Sequence, residues 1–118
     1  MQTIVVRVLP VVYPCSGCSS VAVRFAHHAA RRLDQLGVAE MSYMPAAGAD
    51  EAMFAAKVKS RSPVIVIDGC ALGCARRWLA RHGVEPARHY DLTDFGVEDG
   101  DFDPVRAESV VQCLTQDL

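Results

Sequence analysis

With 118 residues, 51% of them hydrophobic, the chain has the size and apolar content of one folded domain, expected to span residues 1–118. Its 12 basic and 14 acidic residues are interspersed and leave a formal charge of -2, so no broad field exists to draw nucleic acid or an anionic membrane. The basic stretch Lys57 to Arg61 reads as a solvated face, and neither nucleic acid nor membrane is an expected partner.

The opening run from Met1 to Leu9 lacks a basic leader, carries Arg7 inside its apolar stretch and is too short to span a bilayer, so the expected compartment is the cytoplasm. In a reducing compartment, closely spaced cysteines bind metal or carry out thiol chemistry more often than they form structural disulfides. β-Branched residues dominate from Thr3 to Val12 and predict a first strand, with a bulge or an early end to pairing at Pro10. Cys15-Ser16-Gly17-Cys18 follows as a turn. Ser19 and Ser20 then offer caps for a helix with Val23, Ala26, Ala30, Leu33 and Leu36 at helical spacing, closed by Gly37.

Met41 to Met44 is a short second strand, and a helical stretch runs from about Asp50 to Lys59. Pro63 to Ile67 is the clearest buried strand, ended by Asp68-Gly69 just before Cys70-Ala71-Leu72-Gly73-Cys74. A helix is expected from near Cys70 to His82, with Gly83 as its stop. His89 to Thr93 reads as a fourth strand, Asp94-Phe95-Gly96 as a turn, residues 98–103 as an acidic loop, and Pro104 as the start of a last helix carrying Val105, Val110, Val111 and Leu114. Strands alternating with helices predict a three-layer, Rossmann-like α/β fold: a mainly parallel four-stranded sheet of order 2-1-3-4, with right-handed crossovers and helices on both faces. The switch point falls between strands one and three, so both cysteine turns open onto one crevice at the carboxyl edge.

That placement brings together four of the five thiols, Cys15, Cys18, Cys70 and Cys74. Zinc in a structural site takes four tetrahedral ligands, and with Zn–S bonds of about 2.3 Å the sulfurs lie about 3.7 Å apart. Cys70 and Cys74 are four apart on the expected helix, hence on one face with Cβ atoms about 5–6 Å apart, and Gly17 can take the positive φ that wraps a turn around an ion. The partial positive charge where helices begin favours thiolate, the ligating form, with Arg24, Arg76 and Arg77 as further candidates to offset charge. A small iron–sulfur cluster would use the same four ligands, although zinc is the preferred expectation. Two readings stand beside metal binding. In one, Cys15 or Cys70 is the nucleophile of a thiol redox enzyme or sulfur carrier and its partner cysteine resolves the intermediate. In the other, the cysteines only pack and the domain binds a partner.

Cys15-Ser16-Gly17-Cys18-Ser19, Gly37 to Ser42, Ile67-Asp68-Gly69-Cys70, Cys74-Ala75-Arg76 and Leu92-Thr93-Asp94-Phe95-Gly96 follow one another along the chain. In these pieces and their order the chain resembles the small DGC-domain family. The resemblance implies zinc binding, inferred for the family from its cysteines, and no established reaction. Family members tend to carry a further cysteine after the Met-Ser pair; Tyr43 stands there in this chain, so no fifth-thiol chemistry is implied.

Asp68, Asp94 and Tyr43 are expected as outer partners that line the crevice without ligating the ion. Asp68 reads first as a cap for the following helix, and Asp94 as a turn residue with a general-base role as the sharper alternative. His27 and His28 lie about two turns or more beyond Cys18, too far along the helix to ligate with it. His82 belongs to a helix end, and His89 is expected at the far end of its strand from the cysteines. Trp78 reads as core packing that also shields the site, and Cys113 as a bystander thiol.

Overall fold

The structure, a computed structural model, describes residues 9–15, 21–42, 52–53, 56, 58, 63–69, 72–97 and 101–118. Four strands, β1 (Val11–Pro14), β2 (Glu40–Met41), β3 (Val64–Asp68) and β4 (Arg88–Asp91), form one parallel sheet in the order β2-β1-β3-β4. The helices are α1 (Val21–Gln35), α2 (Cys74–Arg81) and α3 (Pro104–Asp117), with a 3-10 turn at Leu92–Phe95 after β4. The expected α/β architecture and strand order are both present. Ala52, Met53, Ala56 and Val58 are helical, and Val58 is buried.

Pro14 ends β1 and Pro10 immediately precedes it, and neither breaks this central strand. Odd-numbered residues of β1 address β3, as the bonds from Val11 N to Pro63 O (3.0 Å) and Cys15 N to Ile67 O (2.8 Å) show. Even-numbered ones address β2: Pro10 O accepts from Glu40 N and Val12 O from Ser42 N. Pro10 and Pro14 therefore lack their N–H only on the β2 side, where the two-residue β2 pairs with Val11 and Val12 alone. The described pairing begins after Pro10, and the expected portion from Thr3 to Val8 lies outside the described residues.

Adjacent residues of β4 reveal the two faces. His89 reaches Asp68, which holds the start of α2, whereas the next residue, Tyr90, donates to Asp117 on α3 at 2.6 Å. Neighbouring strand residues point to opposite faces, so α2 covers one side and α3 the other. α1 packs beside α3 and against β1, β2 and β3. The layer is close because α1 meets it through small side chains: Ala22, Ala26, Ala29 and Ala30 are buried together with Phe25 and Leu33. Leu33, Val12, Ile65, Ile67, Leu92 and Leu114 form the driest part of the core. At Gly37, φ 71 lets Val38 N return to Leu33 O, ending α1 where the sequence places its stop. Leu36 and Val105, expected on buried faces, are exposed, since one lies past the end of α1 and the other in the first turn of α3.

Candidate metal centre

Three chain segments meet at the carboxyl end of β3. Cys15 follows β1 directly, is 5% exposed, and its Sγ accepts a hydrogen bond from Gly69 N at 3.2 Å. That contact puts the first cysteine of one pair against the residue just before Cys70. Gly69 also lies under the first turn of α1, so close that a Cβ there would sit 2.3 Å from the Ala22 carbonyl oxygen. Only glycine fits, and the missing side chain is what lets the ends of β1 and β3 and the start of α1 converge.

Asp68, the last residue of β3, is the one described buried carboxylate, 1% exposed. Its Oδ1 accepts from Ala75 N (2.9 Å) and its Oδ2 from Arg76 N (3.3 Å), two of the amide groups that a helix start leaves unpaired. Gly73, the residue before the helix, has no side chain to offer, so a strand-end aspartate does the capping. His89 Nε2 donates to Asp68 Oδ2 at 2.8 Å, a third partner for the carboxylate.

Two expectations change here. α2 begins at Cys74, not near Cys70, because Gly73 immediately before it is left-handed (φ 61) and the Asp68 cap defines the first turn. Cys74 is therefore the exposed first residue of α2, and no shared helix sets its spacing from Cys70. His89, expected at the far end of its strand, reaches the site. It pairs in register with Val66, two residues before Asp68 on the same face, so its ring spans the remaining distance. Strand alternation with a one-residue earlier start of β4 was the signal that would have found it.

The other candidates fall as follows. Cys18, Cys70 and Tyr43 lie outside the described residues. Asp94 is exposed on the 3-10 turn beyond Asp91, the last residue of β4. His27 donates from Nε2 to the Cys15 carbonyl oxygen (3.0 Å), a link the sequence did not reveal. Arg24 is held over the Phe102 ring, 4.5 Å from its centroid, while Arg76 and Arg77 are exposed on α2. Trp78 is partly buried against the core and its ring lies 4.4 Å from that of His82. Cys113 is exposed on α3. Among the described residues, no three His, Cys, Asp or Glu side chains gather in a way that would hold a metal.

The model of the DGC domain matches residues 11–116, a stretch that begins at β1 and ends within α3. The chain belongs to the DGC-domain family. It is also similar to the anaerobic and virulence modulator AnvM of Pseudomonas aeruginosa, 42% identical over 90 residues that span 76% of this chain and 68% of the relative. The DGC stretch thus contains all five cysteines and every described element up to the last residue of α3. No solved structure matches the chain. Among the described residues, no helix is long and apolar enough to cross a membrane.

Proposed function

We propose that this DGC domain binds one zinc ion through Cys15, Cys18, Cys70 and Cys74 at the carboxyl edge of its sheet. The observation that carries the reading is the Gly69 N–H directed at the Cys15 sulfur, which joins the turn after β1 to the residue preceding Cys70. An amide aimed at sulfur suits a sulfur that bears negative charge, as a ligating thiolate does. Cys74, on the same edge, is fixed through its neighbours Ala75 and Arg76 by Asp68. The donor set is soft and contains only sulfur, which fits zinc better than a hard cation.

Four thiolates leave no coordination position for water, so the domain is a binding protein and not a zinc hydrolase. A zinc held this way ties two turns that share no covalent link, and a reducing cytoplasm keeps its ligands competent. The relative is named a modulator, and a role of that kind asks for a binding state more than for turnover. Thiol ligands are also among the groups that dioxygen chemistry alters, in keeping with the word anaerobic in that name.

One observation favours a second reading, a thiol redox enzyme or sulfur carrier: Cys74 is exposed at a helix start, where an attacking or resolving thiol would be accessible. Metal analysis of anaerobically purified protein, with thiols counted before and after a chelator, separates the two. The zinc reading expects about one metal per chain and four thiols that become reactive only on chelation. Little metal, thiols reactive from the start and a disulfide that cycles with reductant would replace it with the redox reading.

A further inference from the structure

α1 presents Arg24, His27, His28 and Arg31 at the spacing i, i+3, i+4, i+7, which places all four on one face of the helix. This face lines a groove of about 350 Å³ together with Val23 and Phe102. The size is at the lower end of the range for small-molecule sites. In a chain of net charge -2, two turns of helix bearing four basic side chains and no acid form a local inversion of sign.

Among the described residues, the acids nearby are committed elsewhere or lie off the groove. Glu108 is taken up by His28 (2.9 Å) and Arg32 (2.8 Å), and Asp103 caps α3 through Val105 N (3.0 Å). Asp101, next to Phe102 in sequence, is exposed and does not line the groove. The two guanidinium groups thus keep a positive field over the opening. Phe102 packs at 4.9 Å on Phe25 and holds Arg24 against its ring face, which fixes one guanidinium before any ligand arrives and leaves its N–H edge for an anion. Both permanent cations are arginines, whose planar fork matches the oxygens of a phosphate two at a time.

We propose that this groove binds a small phosphate-bearing anion between Arg24 and Arg31, over the Phe102 ring. The phosphate is either free or carried as a monoester. The site goes beyond the metal reading: neither Cys15 nor Cys74, the two proposed ligands among the described residues, lines the groove, so metal content can fail while anion binding stands, and the reverse.

The experiment titrates the full chain, as purified and with its metal content measured, with inorganic phosphate and with a nucleoside monophosphate at low ionic strength. Heat and the imidazole resonances of His27 and His28 are followed. Saturable binding is expected, weakened at least about tenfold by Arg24→Gln or by Arg31→Gln and unaffected by Arg81→Gln on α2. Arg31 is exposed, so its substitution tests the site without disturbing the Phe102 packing. Tighter binding of the monoester assigns an organic phosphate, and equal binding assigns the free ion. The absence of saturable shifts with both anions, or an equal loss in the Arg81→Gln control, overturns the proposal.

Discussion

Two carboxylates in this domain each hold a histidine, and burial makes them different devices. Asp68, at the sheet's carboxyl edge, is almost inaccessible, and its partners among the described residues belong to the fold: two amides of α2 and His89. Glu108, on the α1–α3 face, holds His28 and Arg32 with 39% of its side chain exposed. An unmade bond at the first site leaves groups desolvated and unpaired, whereas at the second water replaces it. The edge is therefore specified by polar geometry and the α1–α3 layer by apolar packing, with its ion pairs as minor additions.

The strongest challenge to this contrast is Gly69→Ala. A Cβ would press on the carbonyl group of Ala22, backbone that cannot rotate away, so the end of β3 or the start of α1 must move. We expect a loss of about 3 kcal/mol in urea unfolding of chelator-treated protein, at the upper end of overpacking costs. A midpoint equal to wild type would mean that the two segments are not in contact, and the proposal that the cysteine turns converge would fall with it.

Asp68→Ala comes next. It strips the cap from α2 and leaves His89 without its acceptor, at a cost of about 2–3 kcal/mol. Asp68→Asn should recover part of this, because an amide oxygen still accepts one of the helix N–H groups. Amide hydrogen exchange at Ala75 and Arg76 gives the local reading: faster exchange confined to that turn is expected in Asp68→Ala, and unchanged protection would remove Asp68 from its capping role.

How much of this edge was legible in the sequence follows from the range of the interactions. β3 was readable because a run of Val and Ile bounded by Asp-Gly carries its own period and punctuation, and the alternation of such runs with helices was enough for the order 2-1-3-4. The cap itself was legible, since Asp68 reads as the cap of the following helix, but the start of α2 was misplaced because Asp68 reaches forward to Ala75 and Arg76 instead of capping from the residue before the helix, and sequence spacing does not set that reach. His89 was lost for a related reason: a one-residue shift of β4 decides which face and which level of the sheet a ring occupies. Gly69 read only as the end of a strand, since nothing in its neighbours announces that α1 passes over it.

Tyr90→Phe probes the other face at moderate cost. Burial first, then the hydrogen bond to Asp117 and the charge of that carboxylate, push the Tyr90 phenol above its ordinary range. Removing the hydroxyl should cost about 1 kcal/mol. Because the folded-state pKa is raised, the contribution is complete below the unfolded value of about 10 and is lost as pH rises through and beyond it. The wild type should therefore lose stability in alkali more steeply than Tyr90→Phe. Parallel curves above pH 10 would show that the hydroxyl is solvated.

The smallest effect belongs to Glu108. Hydrogen bonds from Arg32 and then His28 hold its carboxyl below the ordinary range for glutamate. A lowered folded-state pKa stabilises the protein above the unfolded value and loses that contribution as pH falls through the folded one, so the loss is confined to acid. Exposure limits its size: Glu108→Gln should cost less than about 1 kcal/mol at neutral pH, and salt should shrink the difference because an exposed pair is screened. The Asp68 cost should persist in the same salt, since this buried carboxylate is held by two backbone amides and by the largely covered His89 ring, where screening by ions is weak. If both substitutions responded to salt alike, burial would not be what separates the two carboxylates, and the edge would owe its order to the apolar layer beneath it.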